Sequence, residues 1–563
     1  MAAPTRSILA QQFDLAVSTA RNGWRVLLHR GPSQIQFWFI ALAIGVAAGF
    51  AALLFRKGIF ALQGFLYQTD DPAMIHSHAA MMPWWVLVII PVCGGLVVGG
   101  VLHWLTPDGR LRSVADVIEG AALHEGRVET KAGFASALAS LITLSSGGSS
   151  GREGPVVHLA GVMASWVSGR INADGITGRD LLGCAVAAAV SASFNAPIAG
   201  ALFALEVVLR HFAVHAFAPI VIASVAGTVI NRVNFGGLTE FVLQTTPGEL
   251  QFYVELPAFL ILGLVSGLIA VALMRSIFLA DDIGNHVQRK LGMPRWVRPG
   301  IAGLLLGLIA IPFPHIIGVG YETTLRALSG DLAVTTAIVF VIVKVIAVAI
   351  TIAGRMGGGM FSPSLMVGAI SGLAFGLIAT GVMPDVSGTP ALYAFAGMGA
   401  VTAAVLGAPI STTLIVFELT GDWQIGLAVM VSVSMSTALA SRLVDRSFFL
   451  TMIERRGIHL AAGPQAYLLA MFKAGAVMRT PDDPRTADPQ TCWEMIGEGI
   501  YVDVNATLEA AMPAFDRAGM PFLPVVSLTG DKNAPELRGA LFHVDALKAY
   551  NRALAATAAE EHS

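Results

Sequence analysis

The sequence predicts an all-α polytopic membrane protein built from two repeated halves, with a small α+β module at its carboxyl end. Three observations carry that prediction: the composition, the uneven lengths of the apolar stretches, and an internal repeat. Of 563 residues, 55% are hydrophobic and 13% charged, whereas soluble domains carry roughly 25% charged residues. Sixty glycines agree with this, because small residues let helices approach closely in lipid, where no hydrophobic effect drives association.

Apolar stretches fall at 37–56, 84–105, 132–144, 156–169, 181–209, 212–231, 256–280, 297–313, 335–353, 361–383, 391–420 and 424–441. A simple spanning helix needs about 20 apolar residues. The pieces 132–144 and 156–169 are therefore expected to stop inside the protein. Irregular backbone at that depth is tolerated only where it is buried or lines a polar cavity, so the short pieces already point to a pathway.

The repeat is the strongest organisational signal. FNAPIAGALFALE at 194–206 lies over LGAPISTTLIVFE at 406–418 with one constant offset, so that Ala196, Pro197, Ile198, Leu202 and Glu206 meet Ala408, Pro409, Ile410, Leu414 and Glu418. Upstream of each copy runs a small-residue segment, AVAAAVSAS at 185–193 and GMGAVTAAV at 397–405. Repeated halves with interrupted helices are the plan of secondary transporters, whose substrate sites lie near the midplane at the repeat interface.

Charge and cysteine usage narrow the class. The net charge of -2 gives no reason to expect nucleic acid as a partner, and Cys93, Cys184 and Cys492 lack metal-ligand spacing and are expected to be free thiols. Arg6, Arg21, Arg25 and Arg30 precede the apolar block without a signal-peptide pattern, and Arg442, Arg446, Arg455 and Arg456 follow it. The positive-inside rule then expects both termini in the cytoplasm. After about residue 460 the hydropathy falls and short apolar runs at 502–508, 521–528 and 537–544 alternate with Asp, Pro and Gly. The expected division is a leader at 1–34, a membrane domain at 35–460 with repeats near 35–235 and 250–460, and a soluble α+β tail at 461–563.

Two segments carry chemistry. SSGGSSGREGPVVHLAG at 145–161 sets Glu153 among glycines ahead of an apolar helix. A carboxylate within a membrane segment costs roughly 2.5–3.5 kcal/mol on the gentlest scale and usually faces a cavity. Glu153 can cap a helix starting at Pro155, and it can also occupy a helix amino end where an anion would bind, to be released by protonation or displacement. The second segment, GRMGGGMFSPSLMVGA at 354–369, again feeds a Gly-rich loop into a helix. The amides of Met360 and Phe361 there can hold an anion weakly enough for release, or the loop can be a tight turn between packed helices.

The motifs GREGP at 151–155, GMFSP at 359–363 and FNAPIAGALF at 194–203 resemble the hallmarks of the CLC family of chloride channels and chloride/proton exchangers, and the resemblance covers nearly the whole chain. It implies two inverted halves of many tilted, partly broken helices, a homodimer, and one pore in each subunit. It also implies that Glu153 is the gating glutamate and that Met360 and Phe361 supply the amide anion site. The chloride-binding motif positions of the two loops are Gly151, Arg152 and Gly154 on one side and Gly359 on the other.

The chain departs from the family at three places. The first anion motif, Gly-Ser-Gly-Ile-Pro in the family, is Arg112-Ser113-Val114-Ala115-Asp116 in the register set by Ile118, Glu119 and Gly120. Ser113 can still donate its hydroxyl to chloride, and serine at this position goes with chloride rather than nitrate, or it can merely cap the helix ahead. The family's exchangers carry two glutamates where this chain has Glu206-Val207. Valine cannot relay a proton, and Glu206, about 100° round a helix from it, is read as structural. Finally, a family tyrosine that contacts the central chloride is replaced by Phe449, with Phe448 as the other candidate.

The tail, in AMPAFDRAGMPFLPVVSLTG at 511–530 and ELRGALFHVDALKAY at 536–550, resembles a single CBS-type unit. Such units work in pairs, so one copy is expected to pack against another tail rather than bind a nucleotide, and His543 and Asp545 are read as surface residues rather than metal ligands. The function expected is a chloride-selective channel, opened as protons neutralise Glu153, with a chloride/proton exchanger as the alternative. The protein is expected in the plasma membrane, with no cofactor or metal. An enzyme is not expected, because GREGP with His158 offers no Ser-His pair oriented by a carboxylate.

Overall fold

The computed structural model describes residues 33–69, 71, 74–212, 214–236, 252–458, 460, 468–469, 472–527 and 535–561. The leader with Arg6, Arg21, Arg25 and Arg30 lies outside the described residues. The first half comprises α1 (Gln34–Tyr67), α2 (Ile75–Ala79), α3 (Trp84–Leu105), α4 (Val114–Leu123), α5 (Thr130–Ser145), α6 (Glu153–Arg170), α7 (Gly175–Phe194), α8 (Pro197–Phe203, continued by a π turn over Ala204–Leu209) and α9 (Val214–Phe235). The second comprises α10 (Phe252–Lys290), α11 (Arg298–Ala310), α12 (Tyr321–Leu328), α13 (Val334–Ala353), α14 (Phe361–Val382), α15 (Pro390–Leu406), α16 (Pro409–Thr420) and α17 (Trp423–Leu443), after which α18 (Phe448–Glu454) leads to the tail. Apart from α2, the halves run in step. Among the described residues seven helices are long and apolar enough to cross a membrane, and the chain is a polytopic membrane protein.

The apolar stretches 181–209 and 391–420 are each broken in two, which the hydropathy alone did not show. Asn195 ends α7 at φ 59° and Gly407 ends α15 at φ 70°. Both adopt the left-handed conformation that asparagine and glycine tolerate best. Pro197 and Pro409 then open α8 and α16, where a missing N–H removes no helix bond. The small-residue runs before these breaks are buried throughout. α14 and α15 cross so closely that a Cβ on Gly372 would lie 2.3 Å from the Tyr393 carbonyl oxygen.

Two reciprocal contacts tie the inverted halves together. Gly151 and Gly359, equivalent residues, form an antiparallel bridge in which each N–H donates to the other's carbonyl, at 2.8 and 2.6 Å. Glu206 at the end of α8 accepts from the amides of Ile410 and Ser411 at the start of α16, at 2.9 and 2.8 Å. Glu418 at the end of α16 accepts from Ile198 and Ala199 at the start of α8, at 3.0 and 2.8 Å. Each carboxylate satisfies amides that a helix cannot bond internally and sits where the helix dipole favours negative charge. Glu206 is thus structural, as its sequence position suggested.

The tail forms a three-stranded sheet of β1 (Val502–Asp503), β2 (Phe522–Ser527) and β3 (Glu536–Phe542), with β1 parallel and β3 antiparallel to the central β2. The apolar run at 502–508 is a strand only as far as Asp503, because Thr507 accepts from the Ala510 amide and starts a helix, Leu508–Ala518. Leu508, Phe515, Leu523, Val525 and Leu541 make its core. Asp545 pairs with Arg479 at 2.7 Å and His543 packs on Phe515. Lys473 pairs with Glu125 at 2.7 Å and anchors the tail beneath the α4–α5 connection.

Losing either cap leaves two amides without an acceptor. Glu206→Ala and Glu418→Ala are each expected to cost about 1–3 kcal/mol, measured as a lowered thermal midpoint in detergent. A wild-type midpoint in both variants would contradict the capping role.

Candidate anion pathway

The amino ends of α6 and α14 meet at the glycine bridge. The approach demands glycine: a Cβ on Gly154 would lie 2.9 Å from the Gly359 Cα, and one on Gly358, at φ 133°, would lie 1.9 Å from the Ser150 hydroxyl. Pro155 and Pro363 fall in the first turns of their helices, where the absent N–H is not needed.

Glu153 opens α6, and its carboxylate turns away from its own helix toward α14. One oxygen accepts from the Ser362 hydroxyl at 2.5 Å and the other faces the Ser362 amide at 3.4 Å. The side chain is 2% exposed, with the Arg152 Nε 3.8 Å from the carboxylate. A buried carboxylate therefore occupies the amino end of a second helix, the position where a free anion would be favoured. The sequence-level alternative of a cap on a helix starting at Pro155 is replaced by this arrangement, because α6 already begins at Glu153.

A cavity lies on each side. On the side of the tail, about 310 Å³ opens to Ser113, Gly154, Gly359, Met360 and Phe449, with Arg110, Arg112, Arg355, Arg455 and Arg456 also lining it. On the opposite side a crevice of about 10 Å³ is lined by Arg56, Arg152 and Tyr321, room for about one water. The Arg152 guanidinium is fixed there by the Ser193 carbonyl at 2.9 Å and lies over the Tyr321 ring at 5.2 Å. Glu153 lines neither space and stands between them.

The remaining sequence candidates divide. Ser113 lines the tail-side cavity and is also the residue that precedes α4; its amide donates to the Asp116 carboxylate at 2.7 Å. Asp116 thus engages the Ser113 amide at the start of α4. Arg112 points to Glu129 and Asp108, at 2.5 and 2.9 Å. The Phe361 ring packs on Phe194 and Phe203, at 4.6 and 5.6 Å, away from the cavity, so only its backbone can serve an anion. Phe448 and Phe449, 2% and 3% exposed, both line the cavity. Val207 is buried in the apolar core.

Sequence reasoning missed Ser362, although the GMFSP motif contains it. A hydroxyl in the first turn of a helix was the available signal. It also left His158 unassigned. That residue is 1% exposed, neither ring nitrogen has a hydrogen-bond partner among the described residues, and it borders a third, polar cavity of about 340 Å³ with Asp116, Glu119 and Glu129.

Broken helices whose amino ends converge on a buried carboxylate between two cavities define a membrane protein of the ion-transport class. A family model described as voltage gated chloride channel matches residues 94–441, and the chain belongs to this family, the CLC proteins. It is 30% identical over 400 residues to a ClcB-like chloride channel protein of Ralstonia nicotianae, covering 70% of this chain and 91% of that one. It is also 30% identical over 442 residues to chloride channel protein CLC-e of Arabidopsis thaliana, covering 73% of this chain and 60% of the plant protein. Among solved structures, a slow cyanobacterial Cl⁻/H⁺ antiporter is similar at a TM-score of 0.66 and 20% identity, covering 76% of this chain and 98% of that one. A eukaryotic CLC transporter is similar at 0.64 and 19%, covering 90% and 97%.

Proposed function

We propose that this chain is a chloride-selective channel of the plasma membrane, a homodimer with one pore per subunit and both termini in the cytoplasm. Glu153 is its gate. The observation that carries the reading is the Glu153 carboxylate held on Ser362 at the amino end of α14, between the two cavities. A chloride ion competes with that carboxylate for the same amide-rich end. Protonation removes the charge of Glu153 and frees the site, so flux rises as pH falls.

Passive conduction is favoured over coupled exchange by two residues. Val207 offers no titratable group where exchangers of the family carry one, and its surroundings are apolar. Phe449 gives the inner constriction no hydroxyl to bind chloride, and an apolar, weakly binding constriction suits throughput. The second reading is a chloride/proton exchanger, favoured by His158, a buried titratable residue on the same helix as Glu153. The tail is assigned to packing against a second tail rather than to nucleotide binding, and no catalytic chemistry is assigned.

The deciding measurement is the zero-current potential of reconstituted vesicles under a fixed chloride gradient, with and without an opposing proton gradient. A potential that follows chloride alone is expected, whereas one that moves with the proton gradient supports exchange. Glu153→Gln, which carries no charge at any pH, is expected to conduct with most of the pH dependence lost; a variant with the wild-type pH response sinks the gate assignment. Ser362→Ala removes a hydrogen bond to a charged acceptor, a contact of about 1.5–3 kcal/mol. Its flux at neutral pH is expected to rise about tenfold, read as chloride efflux from vesicles.

A further inference from the structure

The tail-side cavity is lined by five arginines, yet most of that charge is already answered. Arg110 pairs with Asp116 at 3.0 Å and Asp108 at 3.4 Å. Arg112 pairs with Asp108 and Glu129. Arg456 pairs with Asp116 at 3.0 Å and Glu119 at 3.3 Å, and Arg455 pairs with Asp282. The carboxylate that lines the same cavity, Asp281, is taken by Arg298 at 2.9 Å. Arg355 is different: among the described residues no carboxylate lies within ion-pair distance of it, and its side chain makes no hydrogen bond.

Its backbone is equally unusual. Arg355 follows the end of α13 at φ 56°, a left-handed conformation that glycine adopts freely and a bulky residue does not. Only its amide is engaged, donating to the Ile352 carbonyl at 3.0 Å. It stands in the same loop as Gly359 and Met360, which line the inner end of the cavity. A strained, half-buried, unpaired cation at the approach to an anion site is an outlier that packing does not explain.

We infer that Arg355 is the residue that concentrates anions in the tail-side vestibule and so sets the conductance and charge selectivity of the pathway, a role resting on the chloride-transport reading above. Its guanidinium supplies an unanswered positive charge and open donors to an ion that has begun to shed water, while the paired arginines shape the walls. The competing role is purely local: a cation at the carboxyl end of α13, where the helix dipole favours one.

The two roles separate in Arg355→Gly. Glycine suits φ 56°, so the variant is expected to unfold at the wild-type temperature or above it. Chloride conductance from the tail side, in planar bilayers at about 0.01 M salt where the Debye length is about 30 Å, is expected to fall about two- to fourfold. That is the size expected of one elementary charge roughly 10 Å from the ion in a wet vestibule. The deficit should vanish near 1 M salt, where screening acts over about 3 Å, and Arg355→Lys should conduct like the wild type. Where Arg355→Gly does not fold, Arg355→Gln against Arg355→Lys makes the same comparison. Wild-type conductance of the glycine or glutamine variant at low salt overturns the inference, as does a lysine variant equally impaired. A wild-type protein that carries no chloride overturns instead the transport reading on which it rests.

Discussion

Two helix amino ends, each equivalent to about half a positive charge, face one another inside this protein, and a pair of glycines closes the distance between them. That meeting would be unfavourable if left bare. The Gly151–Gly359 bridge satisfies two of the exposed amides, and the Glu153 carboxylate answers the field of α14. Much of the surrounding architecture follows from it. Helices must stop short for their ends to meet, glycines must line the approach for the loops to touch, and small residues on α7 and α15 must let the helices of each half pack closely around that point.

The same electrostatic problem is solved differently at other helix ends. At α8 and α16 the answering carboxylates, Glu418 and Glu206, are each engaged by two backbone amides. At α4 the answer is Asp116, which is also shared by Arg110 and Arg456. Glu153 alone among these stands between two cavities, held on Ser362 with the Arg152 guanidinium beside it. What sets Glu153 apart from the caps is that setting rather than its residue type.

Much of this was legible in the chain. The short apolar lengths implied broken helices, and the shared Ala-Pro-Ile and terminal glutamate disclosed the two halves. Glu153 stood out because a carboxylate among glycines in an apolar setting needs a reason. What escaped was whatever depends on distant partners. Ser362 is 209 residues from Glu153, and no local pattern records that meeting. The breaks at Asn195 and Gly407 were hidden because one left-handed residue interrupts a helix without changing its hydropathy. Asp116, the last residue of the altered motif, became part of a helix start only through its bond to the Ser113 amide. The pairing of the vestibule arginines, which leaves Arg355 apart, exists only once α4, α10 and α18 are brought together.

The crossed caps also bear on biosynthesis. As the ribosome delivers the first half, the opening amides of α8 have no acceptor, since Glu418 lies 220 residues beyond Ile198. Nor can Glu206 find its amides until α16 is made. Each half therefore leaves the other's helix unfinished, and neither is a self-sufficient folding unit. A half made alone would need a second copy of itself, in the opposite orientation, to supply the missing acceptors.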